Sequence, residues 1–172
     1  MCVAECVYTH AHYCGKEQKE ISMVRWIITD RNDADFNALC QRLNEELVRK
    51  LSGTADPISS RANATDDFGS VLLGKDEKVP VACAALRPFS EDTVELKRMF
   101  VSPEWRRKGL GKTILQKCEE MARQKNYRYI VLETNILLSD ARSLYEKAGY
   151  ARIDSYGPYA FLKETLCMGK AL

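Results

Sequence analysis

Between Thr93 and Lys125 the chain passes from a strand-like run to a helix-like one through a short loop rich in glycine and base. The strand-like part is Val94-Glu95-Leu96-Lys97-Arg98-Met99-Phe100-Val101, and the loop is Ser102-Pro103-Glu104-Trp105-Arg106-Arg107-Lys108-Gly109-Leu110-Gly111-Lys112. From Gly109 to Lys125 the apolar residues Ile114, Leu115, Cys118, Met121 and Ala122 recur at helical spacing, so this segment has one core-facing side. A helix opening at the end of a strand leaves its first-turn N–H groups without helical acceptors, and those donors favour an anion. Gly109 and Gly111 let the backbone approach a ligand closely, and the flanking Arg and Lys add charge-assisted contacts. A pyrophosphate suits such a loop.

Taken alone, the pattern Arg106-x-x-Gly109-x-Gly111 is weak, because a glycine turn into an exposed basic helix looks the same. Two other nucleotide motifs fail on single residues. Gly111-Lys112-Thr113 resembles the end of a Walker loop, but the glycine needed five positions earlier is Arg106. The dinucleotide fingerprint needs glycine at 114, where the chain has Ile114.

The rest of the chain reads as a mixed sheet with flanking helices. Met23–Thr29 is strand-like, and a helix with N-cap choices in Asp30–Asp33 carries Phe36, Leu39, Leu43, Leu47 and Leu51 on one face. Gly53 and Pro57 end it, and residues 52–67 read as a loop. Two antiparallel strands, Gly69–Gly74 and Val79–Phe89, flank the turn Lys75–Lys78; a third, Thr93–Val101, follows the turn Ser90-Glu91-Asp92. After the helix at 109–125 come a short buried strand at Tyr129–Thr134 and a helix capped by Ser139 and stopped by Gly149. Two closing strands are expected at about 151–156 and 160–168. The order is a β-meander followed by α-β-α-β-β, an α/β (α+β) arrangement in one domain.

Composition adds limits. A net charge of +2 gives no reason to expect nucleic acid or an acidic membrane surface as a partner. No apolar run reaches about 18 residues, so no membrane-spanning helix is expected. Met1–Tyr13 lacks the basic and apolar regions of a secretory signal. Of the seven cysteines, Cys40, Cys83, Cys118 and Cys167 lie in periodic segments and read as reduced core residues, which points to a cytoplasmic location. Residues 1–22 form an expected disordered extension before a domain at 23–172. That extension contains Cys2, Cys6, His10, His12 and Cys14, whose spacing fits no familiar zinc module, so no metal is expected.

Three segments together resemble the GNAT superfamily of N-acetyltransferases over about residues 24–172. They are the loop Arg106-x-x-Gly109-x-Gly111, the stretch Ala141-Arg142-Ser143-Leu144-Tyr145-Glu146-Lys147-Ala148-Gly149-Tyr150, and the strand Val94–Val101. The resemblance implies a mostly antiparallel sheet with a splayed parallel strand pair, here 93–101 and 129–134, that opens to admit acetyl-CoA. It implies that Met99, Phe100 and Val101 line the pantetheine arm and that Arg106, Arg107, Lys108, Gly109, Leu110, Gly111 and Lys112 form the pyrophosphate site. Asn135, Ser139 and Tyr145 would complete the cofactor contacts. The family often has Asn where this chain has Leu138, which puts one pantetheine contact in doubt.

The implied reaction is direct attack of an amine on the thioester in a ternary complex. Tyr145 takes the place of the family's general acid for the departing thiolate. Glu95 is the first candidate for the base, and Glu133 the second; Glu95 and Lys97 share a strand face and could equally be an ion pair. Cys167 reads as a core residue, not a nucleophile. The expected acceptor is a primary amine of a small molecule, with a peptide amine or a purely acetyl-CoA-binding role as alternatives, in a monomer or homodimer. Asp66, Asp67, Tyr150, Tyr156 and Tyr159 give an acidic and aromatic rim that suits a cationic amine.

Overall fold

The structure, a computed structural model, describes residues 24–51 and 68–172. Its centre is one seven-stranded sheet in the order β1-β2-β3-β4-β5-β7-β6, with β1 Arg25–Thr29, β2 Ser70–Asp76, β3 Val79–Pro88, β4 Thr93–Val101, β5 Tyr129–Asn135, β6 Ala151–Arg152 and β7 Thr165–Ala171. Every neighbouring pair is antiparallel except β4 and β5.

Helices cover both faces. Helix α1, Ala34–Lys50, starts where Asp33 Oδ1 accepts hydrogen bonds from the backbone N–H groups of Asp35 (2.9 Å) and Phe36 (3.0 Å). It buries Phe36 and Leu39 against Val71, Leu73, Cys83, Ala85 and Phe100. Helix α2, Leu110–Gln124, and helix α3, Ser139–Lys147, pack on the opposite face. All five α2 positions expected in the core are buried. Cys83, Cys118 and Cys167 are buried free thiols, whereas Cys40 is a free thiol only half-buried.

Three boundaries differ from the sequence expectation, each for a local reason. The β2–β3 turn shrinks to Glu77-Lys78, because Glu77 adopts a positive φ of 51° and lets the strands run on to Asp76 and Val79. Ser139 is the first residue of α3 rather than its cap. Asn135 supplies the entry turn, its Oδ1 accepting from Leu137 N (2.9 Å) and its backbone oxygen from Leu138 N (3.0 Å). The first closing strand is only Ala151–Arg152, and the segment Gly157–Phe161 is a 3-10 turn. Pro158 has no N–H to give to a ladder, so β7 begins at Thr165 and runs to Ala171. The cysteine- and histidine-containing segment 1–22 and the loop 52–67, with Asp66 and Asp67, lie outside the described residues.

The strand pair that matters for function is held apart by its outer neighbours. The β4–β5 ladder runs only from Thr93↔Tyr129 to Leu96↔Leu132. Beyond it, β4 stays paired to β3 through Cys83↔Phe100 and Ala82↔Val101, while β5 stays paired to β7 through Glu133↔Cys167 to Asn135↔Thr165. A bulge in β4 between these pairings, with Arg98 at φ 53°, turns that strand away from β5. The result is a wedge-shaped opening through the sheet.

Candidate active site

The opening leads into a cleft of about 1680 Å³ bounded by α1, the ends of β4 and β5, the starts of α2 and α3, and the segment 162–165. Met99, Phe100, Val101, Arg106, Arg107, Gly109, Leu110, Gly111 and Lys112 line it from one side, and Glu133, Asn135, Ser139 and Tyr145 from the other. Of the expected catalytic and cofactor residues, two are not on the wall. Lys108 holds its ammonium 4.4 Å from the Trp105 ring centroid, and Glu95 is fully buried behind Lys97.

The loop has the geometry of an anion cradle. Arg107 (φ 60°) and Gly109 (φ 84°) both adopt left-handed backbone, which curls successive N–H groups toward one side. Gly109 caps α2 without a side-chain bond, and the first α2 N–H to reach a helical acceptor is that of Thr113, on Gly109 O at 3.1 Å. The N–H groups of Leu110, Gly111 and Lys112 therefore present partial positive charge to the cleft. A side chain at Gly111 would meet Leu144 Cδ2 at 3.0 Å, so glycine is what allows α2 and α3 to meet here. Arg106 plays a different part: its Nε donates to Val101 O (2.9 Å) and its Nη2 to Glu46 of α1, tying the loop to the helix across the cleft.

Tyr145 reaches the opening from α3, its hydroxyl 3.8 Å from Met99 Sδ. Burial, reinforced by the charge of Glu133, pushes its phenol well above the ordinary range, so it stays a protonated donor. Burial also raises the Glu133 carboxyl above its usual range; Lys97 opposes that shift and Glu95 adds to it.

On the α1 face lies a polar cluster that sequence reasoning foresaw only in part. Glu95 Oε2 accepts from Arg87 Nε at 3.0 Å and from Arg87 Nη2, and Glu95 Oε1 accepts from the Tyr156 hydroxyl at 3.0 Å. Lys97 Nζ lies 3.8 Å from Glu95 Oε1 and donates to the Tyr159 hydroxyl at 2.6 Å. Glu95 and Lys97 are thus an ion pair on one strand face. Arg87 was not singled out, although a hairpin centred on Glu91 places it opposite Glu95. None of the three tyrosines expected at the acceptor rim lines the cleft: Tyr156 and Tyr159 belong to the polar cluster around Glu95 and Lys97, and Tyr150 is 3% exposed on the α2–α3 face, its ring centroid 5.9 Å from that of Tyr145. Among the described residues no group of three potential metal ligands occurs.

The sequence matches the model of the acetyltransferase (GNAT) family over residues 31–150, a span that contains the opening, the loop and Tyr145. The chain belongs to the GNAT acetyltransferase family. Acetyl-CoA is the cosubstrate of this family. This GNAT protein is 32% identical over 102 residues to an IAA acetyltransferase of Azospirillum brasilense, covering 59% of this chain and 67% of that protein. A candidate acyl-CoA N-acyltransferase from Klebsiella pneumoniae shares its fold with a TM-score of 0.73 at 26% identity, over 88% of this chain and 99% of that one. The PaiA N-acetyltransferase of Thermoplasma acidophilum, solved in complex with coenzyme A, aligns with a TM-score of 0.64 at 19% identity, over 86% of this chain and 99% of that one. The GNAT chain spans between 27% and 67% of the length of the curated relatives it matches. No described helix is long and apolar enough to cross a membrane.

The residues present fit acetyl-CoA. The curled N–H groups and the wall residues Arg107 and Lys112 suit a pyrophosphate, and the apolar stretch from Met99 to Leu144 suits the pantetheine arm.

Proposed function

We propose that the protein acetylates a primary amine of a small molecule by direct attack in a ternary complex. The observation that carries this reading is that Glu133 and Tyr145, a carboxyl and a phenol with opposite chemical tasks, both line the opening between β4 and β5.

Acetyl-CoA supplies an acetyl group already activated as a thioester. An alkylammonium has a pKa near ~10.4 and must lose a proton before it attacks. Glu133 takes that proton, directly or through a water, and its raised carboxyl pKa brings its basicity closer to the working pH. Glu95, earlier the first candidate, acts one step removed: its carboxylate is engaged by Arg87, Lys97 and Tyr156, and it fixes Lys97 at the wall. Tyr145 donates its phenolic proton or hydrogen bond to the sulfur as the thiolate leaves, which matters because a thiol pKa near ~8.5 makes a bare thiolate a costly product. The loop N–H groups from Arg107 to Lys112, with Met99, Phe100 and Val101, hold the cosubstrate while Asn135 and Ser139 border its arm. Residues 23–172 form the catalytic domain in this reading.

The test is thiol release from acetyl-CoA by the purified full chain, with a panel of small primary amines and a panel of lysine-containing peptides. Turnover of small amines above the blank supports the reading. Turnover of peptides alone replaces it with a protein-directed enzyme, and tight acetyl-CoA binding without any turnover replaces it with a binding module.

A further inference from the structure

The parallel ladder ends at Leu96↔Leu132, and the next residue of each strand is charged: Lys97 on β4 and Glu133 on β5. Leu96 and Leu132 belong to the core under α2 and α3. Alternation therefore sends Lys97 and Glu133 to the other face, and the bulge at Arg98 comes only after Lys97. The two side chains stand on either side of the apex of the opening, and both line the cleft. The proposed base is met there by a cation from the neighbouring strand.

That cation is fixed in place. The Lys97 side chain is only 4% exposed; its Nζ donates to the Tyr159 hydroxyl at 2.6 Å and lies 3.8 Å from Glu95 Oε1. Tyr159 is itself buried, and Glu95 is held in turn by Arg87 and Tyr156. A lysine so engaged is not free to seat a substrate anion, but its charge still acts on a carboxyl that faces it. The titratable groups around the Glu133 carboxyl are Lys97 and Glu95 from β4, Cys167 from β7 and Tyr145 from α3. Lys97 is the cation among them. Burial drives a carboxyl toward its neutral form, which cannot take a proton; Lys97 opposes that drift and Glu95 adds to it.

We propose that Lys97 is a positioning residue of the reaction, a fixed cation at the apex of the opening that keeps Glu133 charged and ready to take the proton of the incoming amine. Glu95 tempers it, balancing the lysine charge and so setting how much of it Glu133 feels. The inference rests on Glu133 as the base and adds the group that keeps it one.

The test reads the Glu133 carboxyl itself, by carbon-13 NMR of the full chain labelled at glutamate Cδ, its signal identified by loss in Glu133→Gln. Lys97→Met should raise the titration midpoint by about one pH unit or more, the size expected for one facing charge. Lys97→Arg keeps the charge and should hold the midpoint close to the wild type. Glu95→Gln should lower it, because the cation is then less balanced. The other charges of the wall, Glu46 and Lys50 on α1, Asp140 on α3 and Lys163 and Glu164 before β7, are common to every variant, so opposite shifts report this pair. The rising limb of kcat/KM, measured with the small amine of the panel that turns over fastest, should move with the midpoint. Far-UV circular dichroism checks folding, and Lys97→Gln, which keeps a donor for Tyr159, takes the place of Lys97→Met if the latter does not fold. A lysine that only supports the fold would cost stability or rate and leave the midpoint unmoved; that result would overturn the inference. A midpoint that moves the same way in Lys97→Met and Glu95→Gln would also overturn it. Midpoints that move as expected, with a rate that Glu133→Gln leaves intact or with no amine turned over, would instead remove the base reading on which it rests.

Discussion

Arg87 and Glu95 lie directly opposite each other in the β3–β4 register, and the guanidinium donates to Glu95 Oε2 from both Nε and Nη2. Glu95 is completely buried, so this pairing decides whether its charge is tolerated. Arg87→Ala should destabilise the fold by about 3 kcal/mol, the low end for breaking a buried pair, because Lys97 still faces the carboxylate. Urea denaturation checks the value. A double variant, Arg87→Leu with Glu95→Leu, should recover much of the loss, since no lone buried charge is left.

Tyr145→Phe separates chemistry from binding. The phenolic hydroxyl has one weak contact, to Met99 Sδ at 3.8 Å, so its removal should leave the fold and the acetyl-CoA Kd unchanged. Loss of the general acid should lower kcat about 100-fold or more. The wild-type phenol is held well above its ordinary range, so kcat should show no fall from Tyr145 titration between about pH 7 and 10. Such a fall, missing in Tyr145→Phe, would place the phenol in an ordinary environment.

Glu133→Gln tests the base through two readouts. Because burial raises the carboxyl, the rising limb of kcat/KM in the wild type should lie above the ordinary glutamate pKa of about 4.3, and Glu133→Gln should lose that limb with a loss of rate. The stability readout has a fixed sign. A carboxyl with a folded pKa above its unfolded one stabilises the fold below the unfolded value and loses that contribution as pH rises through the folded value. The stability of the wild type relative to Glu133→Gln should therefore decline from about pH 4 upward, followed by urea denaturation at each pH.

Much of this site was legible because its parts are local in sequence. The strand Thr93–Val101, the glycine-basic loop and α2 follow from residue types and spacing within one continuous stretch, and the burial of Ile114, Leu115, Cys118, Met121 and Ala122 follows the helical period. The bulge at Arg98 was not legible, since no glycine or asparagine marks the left-handed position. Its effect, the turn of β4 away from β5, therefore could not be read from alternation. Glu95 looked like an available base because its partners Arg87 and Tyr156 come from other elements, Tyr156 from 61 residues away. Tyr150 was misplaced because its motif position fixes its neighbour, Tyr145, but not the side of the sheet on which the acceptor sits.

The loop glycines should respond differently from each other. At Gly109 added bulk meets nothing within 4 Å, but φ is 84°, so Gly109→Val should cost about 1–2 kcal/mol and Gly109→Asn much less. At Gly111 the first added carbon meets Leu144 Cδ2 at 3.0 Å, so Gly111→Val should push α3 from α2 and weaken acetyl-CoA binding at least tenfold. Isothermal titration with acetyl-CoA and thermal melts separate the two effects.

The central claim is that Glu133 and Tyr145 serve an amine that attacks acetyl-CoA directly while both substrates are bound. Initial-rate kinetics with the full chain test this most directly, varying acetyl-CoA at several fixed amine concentrations. A ternary complex predicts double-reciprocal lines that intersect, with no acetyl group left on the protein when amine is omitted. Parallel lines, together with acetyl retained on Cys167 or any other side chain, would contradict it.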